Sequence, residues 1–566
     1  MAETLISAGV LARENDQSFI TQGPVTVGAA IIGPTAKGPV EIPTVVTSYS
    51  EYQNKFGSTI TSGSNVYSYF TSIAAYNYFQ NGGETLLVSR VVNGAYTAAT
   101  TTLDGEENAV SVTFKTIGEG LLMNSSSSLN VDGSMDSGST DNVRWEVLNS
   151  NSGSGTFDLL VRRGNDTTND KSVLETWTNL SLDPFSSNYV ARRIGDQTST
   201  YTADGTSYYL QTSGAYPNAS RYIRVSAVNA TTPNYLDNSG VAKSAYTASI
   251  PVAQSGGFIS ATGTVKDAAK FYDEITSTDT QGLVGTDYTN MINLLSNSDD
   301  YKFNVLITPG LYDADYTTQL TSIISNTQNR GDNLFILDPV KHGATVTAVT
   351  SQAASRNTSY AASYWPWVQV IDPDTGRQVW VPASTLMAGV FAYNDSVSEP
   401  WFAPAGINRG GLGQVVRPER KLAQATRDTL YTNKVNPIAS FPGTGVVVYG
   451  QKTLQTKSTA LDRVNVRRLL IAMKSYIAGV AQNLVFEQNS AATRNNFLAQ
   501  VNPYLEGIQQ KQGLYAFKVV MDETNNTADV IDRNELIGQI YVQPTKTAEY
   551  IYLDFNVTPT GVAFPA

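Results

Sequence analysis

Two stretches of βα-type patterning in this chain are separated by a long polar segment of different texture. Residues 25–32 form an apolar run, 66–80 carry a helical repeat, and 86–92 are apolar again after Gly82-Gly83. Past residue 255 the alternation resumes. Met291, Leu294 and Leu295 mark a helix, 303–308 a strand, and Leu320, Ile323 and Ile324 a second helix, followed by strands at 333–338 and 364–371. Short apolar runs between amphipathic helices predict a layered α/β body. The segment between them is dense in Ser, Thr, Asn and Gly and holds short strand patterns at 143–148, 157–162 and 222–225, which predicts an inserted all-β domain. A chain of 566 residues exceeds one core, so the expected fold is α+β and multidomain. Its expected parts are an N-terminal extended arm (1–22), an α/β-type domain (23–95 with 256–400), a β-rich insertion (96–255) and a small C-terminal α+β domain (401–566).

The last of these has the clearest helix. Val466, Leu469, Leu470, Met473, Ile477, Val480 and Leu484 make an apolar stripe, with Arg463, Arg467 and Lys474 toward the other side. A second helix over 493–511 is expected to break at Pro503 and to end at Gly513. Three strands follow, at 514–521, 536–542 and 549–557. In the terminal one, Ile551, Leu553, Phe555 and Val557 share a face, and Tyr550, Tyr552, Asp554 and Asn556 share the other. A strand tethered at one end can pair within its own fold or be lent to a neighbouring chain. Near the other terminus, Gly9-Val10-Leu11-Ala12-Arg13-Glu14 is a second candidate of that kind.

Little chemistry is encoded. Cysteine is absent and the single histidine, His342, sits in a loop-like Lys341-His342-Gly343, where it is expected at the surface. Thiol nucleophiles, thiolate metal sites and His-rich metal sites are thereby excluded. Gly33 to Pro39 is a turn, since Pro39 stands where a phosphate loop needs its lysine. Gly443-Thr444-Gly445 precedes its strand where a dinucleotide fingerprint follows one. Asp372-Pro373-Asp374-Thr375-Gly376 lacks the other ligands of a calcium loop and reads as a hairpin turn. A two-carboxylate glycan hydrolase finds no acid pair in a motif. No cofactor, metal or catalytic residue is expected. No run approaches the ~18 apolar residues of a membrane span, and Met1-Ala2-Glu3-Thr4 opens no signal peptide, so cytosolic synthesis is expected.

Charge is unevenly spread. The net charge is −11, yet residues 401–475 hold twelve Lys and Arg against three acids, and residues 522–554 hold seven acids against two bases. Such a basic stretch fits nucleic acid, an acidic partner, an acidic part of a sister chain, or a solvated face.

Several segments together resemble the tail sheath proteins of contractile bacteriophages. They are Ser7-Ala8-Gly9-Val10 through Arg13-Glu14-Asn15-Asp16, then 27–32, Gly38-Pro39, and Tyr52 with Phe56-Gly57. Further along come Leu180-Ser181-Leu182-Asp183-Pro184 with Ser187-Asn188-Tyr189-Val190 and Ile194-Gly195, Ser359-Tyr360-Ala361-Ala362 with Trp365-Pro366-Trp367, Ala388-Gly389-Val390 and Ala403-Pro404-Ala405-Gly406. The series ends with Asn436-Pro437-Ile438, Gly450, Thr453-Leu454, Val464-Asn465-Val466-Arg467-Arg468, Gln543-Pro544-Thr545-Lys546 and Glu549-Tyr550-Ile551. The resemblance implies a structural, non-enzymatic subunit that stacks as helical hexameric rings around a tail tube and contracts to drive it through a cell envelope. Implied partners are further copies of itself, the tail tube protein, and baseplate and tail terminator proteins, without nucleic acid or membrane insertion. The implied location is the virion tail, after assembly in the host bacterial cytoplasm, with the β-rich insertion facing outward. The implied strand-exchange residues are Val10, Leu11, Ala12, Ile551, Leu553, Phe555 and Val557. Arg463, Arg467, Arg468 and Lys474 are the implied tube-facing or inter-subunit basic surface. The sheath of a phage-derived injection device fits the same features.

Overall fold

The computed structural model describes residues 26–62, 65–106, 109–125, 128–264 and 275–552. Val10, Leu11 and Ala12 of the expected N-terminal arm, and Leu553, Phe555 and Val557, lie outside them.

An eight-stranded sheet organises the body. Its strands are β1 (Thr26–Gly33), β2 (Thr44–Val46), β3 (Leu86–Arg90), β4 (Lys302–Tyr312), β5 (Leu334–Asp338), β6 (Ala361–Trp365), β7 (Val435–Phe441) and β8 (Gly445–Val448), in the order β2-β3-β1-β4-β5-β6-β7-β8. The six central strands are parallel, and β2 and β8 close the edges antiparallel. Central strands covered on both faces need unbroken apolar runs. Leu86–Arg90, Leu334–Asp338 and Ala361–Trp365 are accordingly buried at every position. Helices Phe70–Gln80, Thr317–Arg330 and Ser384–Val397 contribute to the same core.

The interrupted βα pattern is thus borne out, and the boundary expected at residue 400 is not. β7 pairs with β6 through Ser363–Val435, Tyr364–Asn436 and Trp365–Pro437, so residues up to 448 belong to the body. Two local expectations also shift. Residues 65–68 are a strand rather than the start of a helix, and the run 364–371 is two strands that meet at Pro366. Asp372 to Gly376 does form the turn of a hairpin, between Val368–Ile371 and Gln378–Val381. The Asp372 carboxylate accepts from the Ser68 and Thr375 hydroxyls, and Asp374 accepts from Tyr49 and Gln53, so both acids tie the hairpin to neighbouring elements. His342 is half-buried, its ring 5.5 Å from Trp367 and 5.1 Å from Trp380, and is not the open surface residue its loop suggested.

Residues 98–257 hold a second, separate hydrophobic cluster that includes Phe114, Trp145, Phe157, Leu159 and Val161. A four-stranded and a three-stranded sheet enclose it, joined by a two-stranded hairpin and the short helices Val190–Ile194 and Ser244–Thr247. The chain enters and leaves side by side, where the Thr97 amide donates to the Thr262 carbonyl at 3.0 Å. Arg90, at the end of β3, ties the two parts together by donating to the carbonyls of Gly38 and Glu119.

Candidate inter-subunit site

The helix α1 (Val464–Gln482) joins the body to the C-terminal unit because it buries two faces. Val464 and Ile471, two turns apart, enter the main core, while Leu469, Met473 and Val480 enter a third cluster with Trp401. The helix α2 (Ala491–Gln510) packs on the same cluster through Phe497, Val501, Leu505 and Ile508. Pro503 does not break it. The missing amide and ring clash cost about 3 kcal/mol, which burial of apolar side chains on both sides of the proline outweighs at about 1.5–3 kcal/mol each. The helix ends in a Schellman arrangement. The Gly513 amide donates to Ile508 and that of Gln512 to Gln509, and Gln512, not Gly513, takes the left-handed conformation at φ 62°.

Beyond the helices lie β9 (Leu514–Val520) and β10 (Gln539–Pro544), paired antiparallel. The pairs Phe517–Val542 and Val519–Ile540 face the helices, and Lys518–Tyr541 faces outward. Of the expected third strand only 549–552 are described; these pair with no strand, and among the described residues no further strand covers either long edge of the hairpin.

A clamp explains where residues 545–552 go instead. Thr545 closes onto Gly513 through its amide, and the Gln451 amide group donates to the Thr547 hydroxyl at 2.6 Å. The Glu549 carboxylate then accepts from Arg463 Nε at 2.7 Å, Arg463 Nη2 at 2.9 Å, the Tyr431 hydroxyl at 2.9 Å and Gln451 Nε2 at 3.1 Å. Burial pushes the Glu549 pKa up, but Arg463, Tyr431 and Gln451 outweigh it and hold the group below its ordinary value. Burial likewise opposes the Arg463 cation, and Glu549, Tyr431 and Asp462 more than offset it. Past this clamp Ile551 is 77% and Tyr552 88% exposed.

The expected basic surface dissolves on inspection. Arg467 and Arg468 are 4% and 5% exposed, because the first half of α1 is wedged between two cores. The Arg467 guanidinium lies 4.0 Å over the Tyr360 ring and donates to the Ser359 hydroxyl. Arg468 pairs with Asp395 at 2.5 Å and stacks 4.8 Å over Phe391. Arg463 is spent on Glu549 and Asp462. Of the four predicted cations Lys474 alone is exposed, with Nζ 3.3 Å from the Tyr360 hydroxyl. The clamp residues Glu549, Tyr431 and Gln451 were not singled out from sequence. They meet across about a hundred residues of chain, and no local pattern announces that.

The fold is similar to one already solved. A crystal structure of a sheath tail protein from Listeria innocua matches with a TM-score of 0.51 over 92% of this chain and 96% of that one, at 10% identity. Residues 281–454 match the phage tail sheath protein central domain and residues 456–558 the phage tail sheath C-terminal domain. The tail sheath protein of Vibrio phage KVP40 is 43% identical over 208 residues, which is 37% of this chain and 31% of that protein. That of Salmonella phage ViI is 31% identical over 323 residues, covering 53% and 51%. Residues 281–454 and 456–558 thus match the two domain models of phage tail sheath proteins, and the relatives they resemble are tail sheath proteins of contractile phages. The chain's match spans about a third to a half of the length of these two relatives.

Proposed function

We propose that the chain is the repeating subunit of a contractile tail sheath. Copies form six-membered rings that stack helically on a tail tube between baseplate and terminator proteins. Contraction drives the tube through a bacterial envelope for genome delivery. The subunit is made in the host cytoplasm and ends in the virion tail, with residues 96–255 outward as a β-rich module. The observation that carries this reading is the pairing of an open-edged β9–β10 hairpin with a terminal segment steered away from it by the Glu549 clamp. Unpaired among the described residues, each hairpin edge accepts a strand from another copy, lent by residues from 551 onward or by Val10-Leu11-Ala12. A strand added to an edge brings about four to six backbone hydrogen bonds at ~1 kcal/mol net each. Several such links per subunit hold a lattice together while its members rotate. Lys474 is the remaining candidate for a tube-facing cation.

Deleting residues 551–566 tests this, because it leaves the Glu549 clamp in place. The shortened chain is expected to melt like the full chain and to give no tubes or rings by negative-stain microscopy. Tubes formed at the normal protein concentration would overturn the reading.

A further inference from the structure

A cavity lies away from the C-terminal unit, in the cleft between the α/β body and residues 98–257. It measures about 560 Å³, within the usual range for a small-molecule site. In a chain of net charge −11, five cations line it and only two acids among the described residues. Lys37 and Lys55 come from the body, and Arg163, Arg221 and Arg224 from the β-rich part. Asp141 neutralises Lys37 at 3.0 Å, and Lys55 is paired with Glu51 at 2.9 Å. The three arginines make no ion pair among the described residues, although Glu119 acts on Arg224 through space. The buried Nε of Arg163 has no hydrogen-bond partner there either. Burial holds the Lys37 ammonium below its ordinary value and Asp141 supports it, while the neighbouring Arg163 depresses it further. That places the two cations within electrostatic reach across the cleft.

Guanidinium groups left unpaired beside one another repel, and a buried N–H donor without an acceptor costs about 1–3 kcal/mol. A small anion carrying several oxygens would answer both, since each guanidinium fork accepts a bidentate oxyanion. We propose that this cleft is a binding site for a small multivalent oxyanion, of the di- or polyphosphate or polycarboxylate class, held by Arg163, Arg221 and Arg224. Because Lys37 and Lys55 face the same space from the other side, the bound anion bridges the β-rich part to the body and stiffens the cleft.

Thermal melting and calorimetric titration of the full chain with sodium pyrophosphate and, separately, trisodium citrate test the site and tell the two anion chemistries apart. At least one is expected to raise the melting temperature saturably, beyond sodium chloride at equal ionic strength. Arg221→Gln removes an exposed guanidinium that makes no hydrogen bond or ion pair among the described residues, so the fold is expected to stay intact and binding to weaken at least about tenfold. Lys511→Gln, a remote exposed cation, is expected to bind like the unaltered chain. No shift beyond the salt control, or affinity in both Arg221→Gln and Arg163→Gln equal to that of the unaltered chain, would overturn the proposal. So would anion-independent self-association that Arg221→Gln abolishes, since the cleft would then take an acidic segment of a second copy.

Discussion

Four hydrogen bonds converge on the Glu549 carboxylate, and they decide where the terminal segment leaves the body. Charge-assisted bonds contribute about 1.5–3 kcal/mol each. Glu549→Gln is therefore expected to open residues 545–552 at least about tenfold more often, read as faster tryptic cleavage after the exposed Lys546. An unchanged cleavage rate would mean that the clamp holds nothing. Its pH dependence follows from the lowered Glu549 pKa. The contribution is complete above the ordinary value of 4.5 and is lost as pH falls through the lower folded value. Asp338 behaves in the opposite sense. Burial pushes its pKa up to about 7 from 3.8, although it accepts from the Ser384 amide and hydroxyl. The folded state keeps a proton there that the unfolded state has released. Stability conferred at Asp338 is thus greatest below about 4 and falls by about 1.4 kcal/mol per pH unit up to about 7. Asp338→Asn keeps an acceptor for Ser384 and is expected to flatten that slope in denaturant melts between those limits, whereas a slope identical to that of the unaltered chain would refute the assignment.

Among the elements, α1 shows both what local pattern reveals and where it stops. The stripe through Leu469, Met473 and Val480 was legible, and so was the helix itself. Ile471 and Val464 lie off that stripe, and their apolar character was the available sign of a second buried face. Arg467 and Arg468 masked it, since two arginines in sequence look like a wet surface until Tyr360, Phe391 and Asp395 arrive from far along the chain. The terminal strand is a different case. Alternation records which side chains want cover, but a ladder needs a partner, and residues 549–552, the described part of that run, have none among the described residues. In α2 the proline rule lost to tertiary burial, and the stop signal was right by one residue. The left-handed position at Gln512 carries a side chain where glycine is the natural choice. Gln512→Gly is expected to stabilise the protein by about 0.5–1 kcal/mol, seen as a higher denaturation midpoint without a change in slope. A lowered midpoint would show that the glutamine side chain contributes more than the strained backbone takes away.

At the scale of the whole molecule, the interrupted βα pattern was legible because β1 and β3 to β6 are buried on both faces, and buried parallel strands declare themselves as apolar runs. The distribution of charge was not legible, because sequence counts cations without showing what they touch. Ten of the twelve basic residues in 401–475 direct donors or guanidinium faces into the protein itself. Arg409 stacks on Phe402, Arg417 on Trp380, Arg420 on Trp365, and Arg427 on Phe441. Lys434 and Lys452 donate to backbone carbonyls, and Arg463, Arg467 and Arg468 are spent around α1. Lys474 donates to the Tyr360 hydroxyl from an exposed position, and Lys421 and Lys457 have no such tie among the described residues. A stretch that reads as a docking surface for acidic partners is thus mostly internal structure, and at a distance each copy presents its net charge of −11. Copies packed side by side in the proposed lattice then repel one another until salt intervenes. Raising sodium chloride from about 20 mM to about 200 mM shortens the screening length from about 20 Å to about 7 Å. If copies polymerise as proposed, that change is expected to lower the protein concentration at which light scattering first reports assembly. Were the basic stretch instead free to meet an acidic neighbour, the same salt would weaken the contact and raise that concentration. The direction of the shift separates the two arrangements, and Lys474→Glu sharpens the comparison. Its single added repulsion is expected to move the onset only slightly if the basic web is internal, and strongly if Lys474 anchors a complementary face.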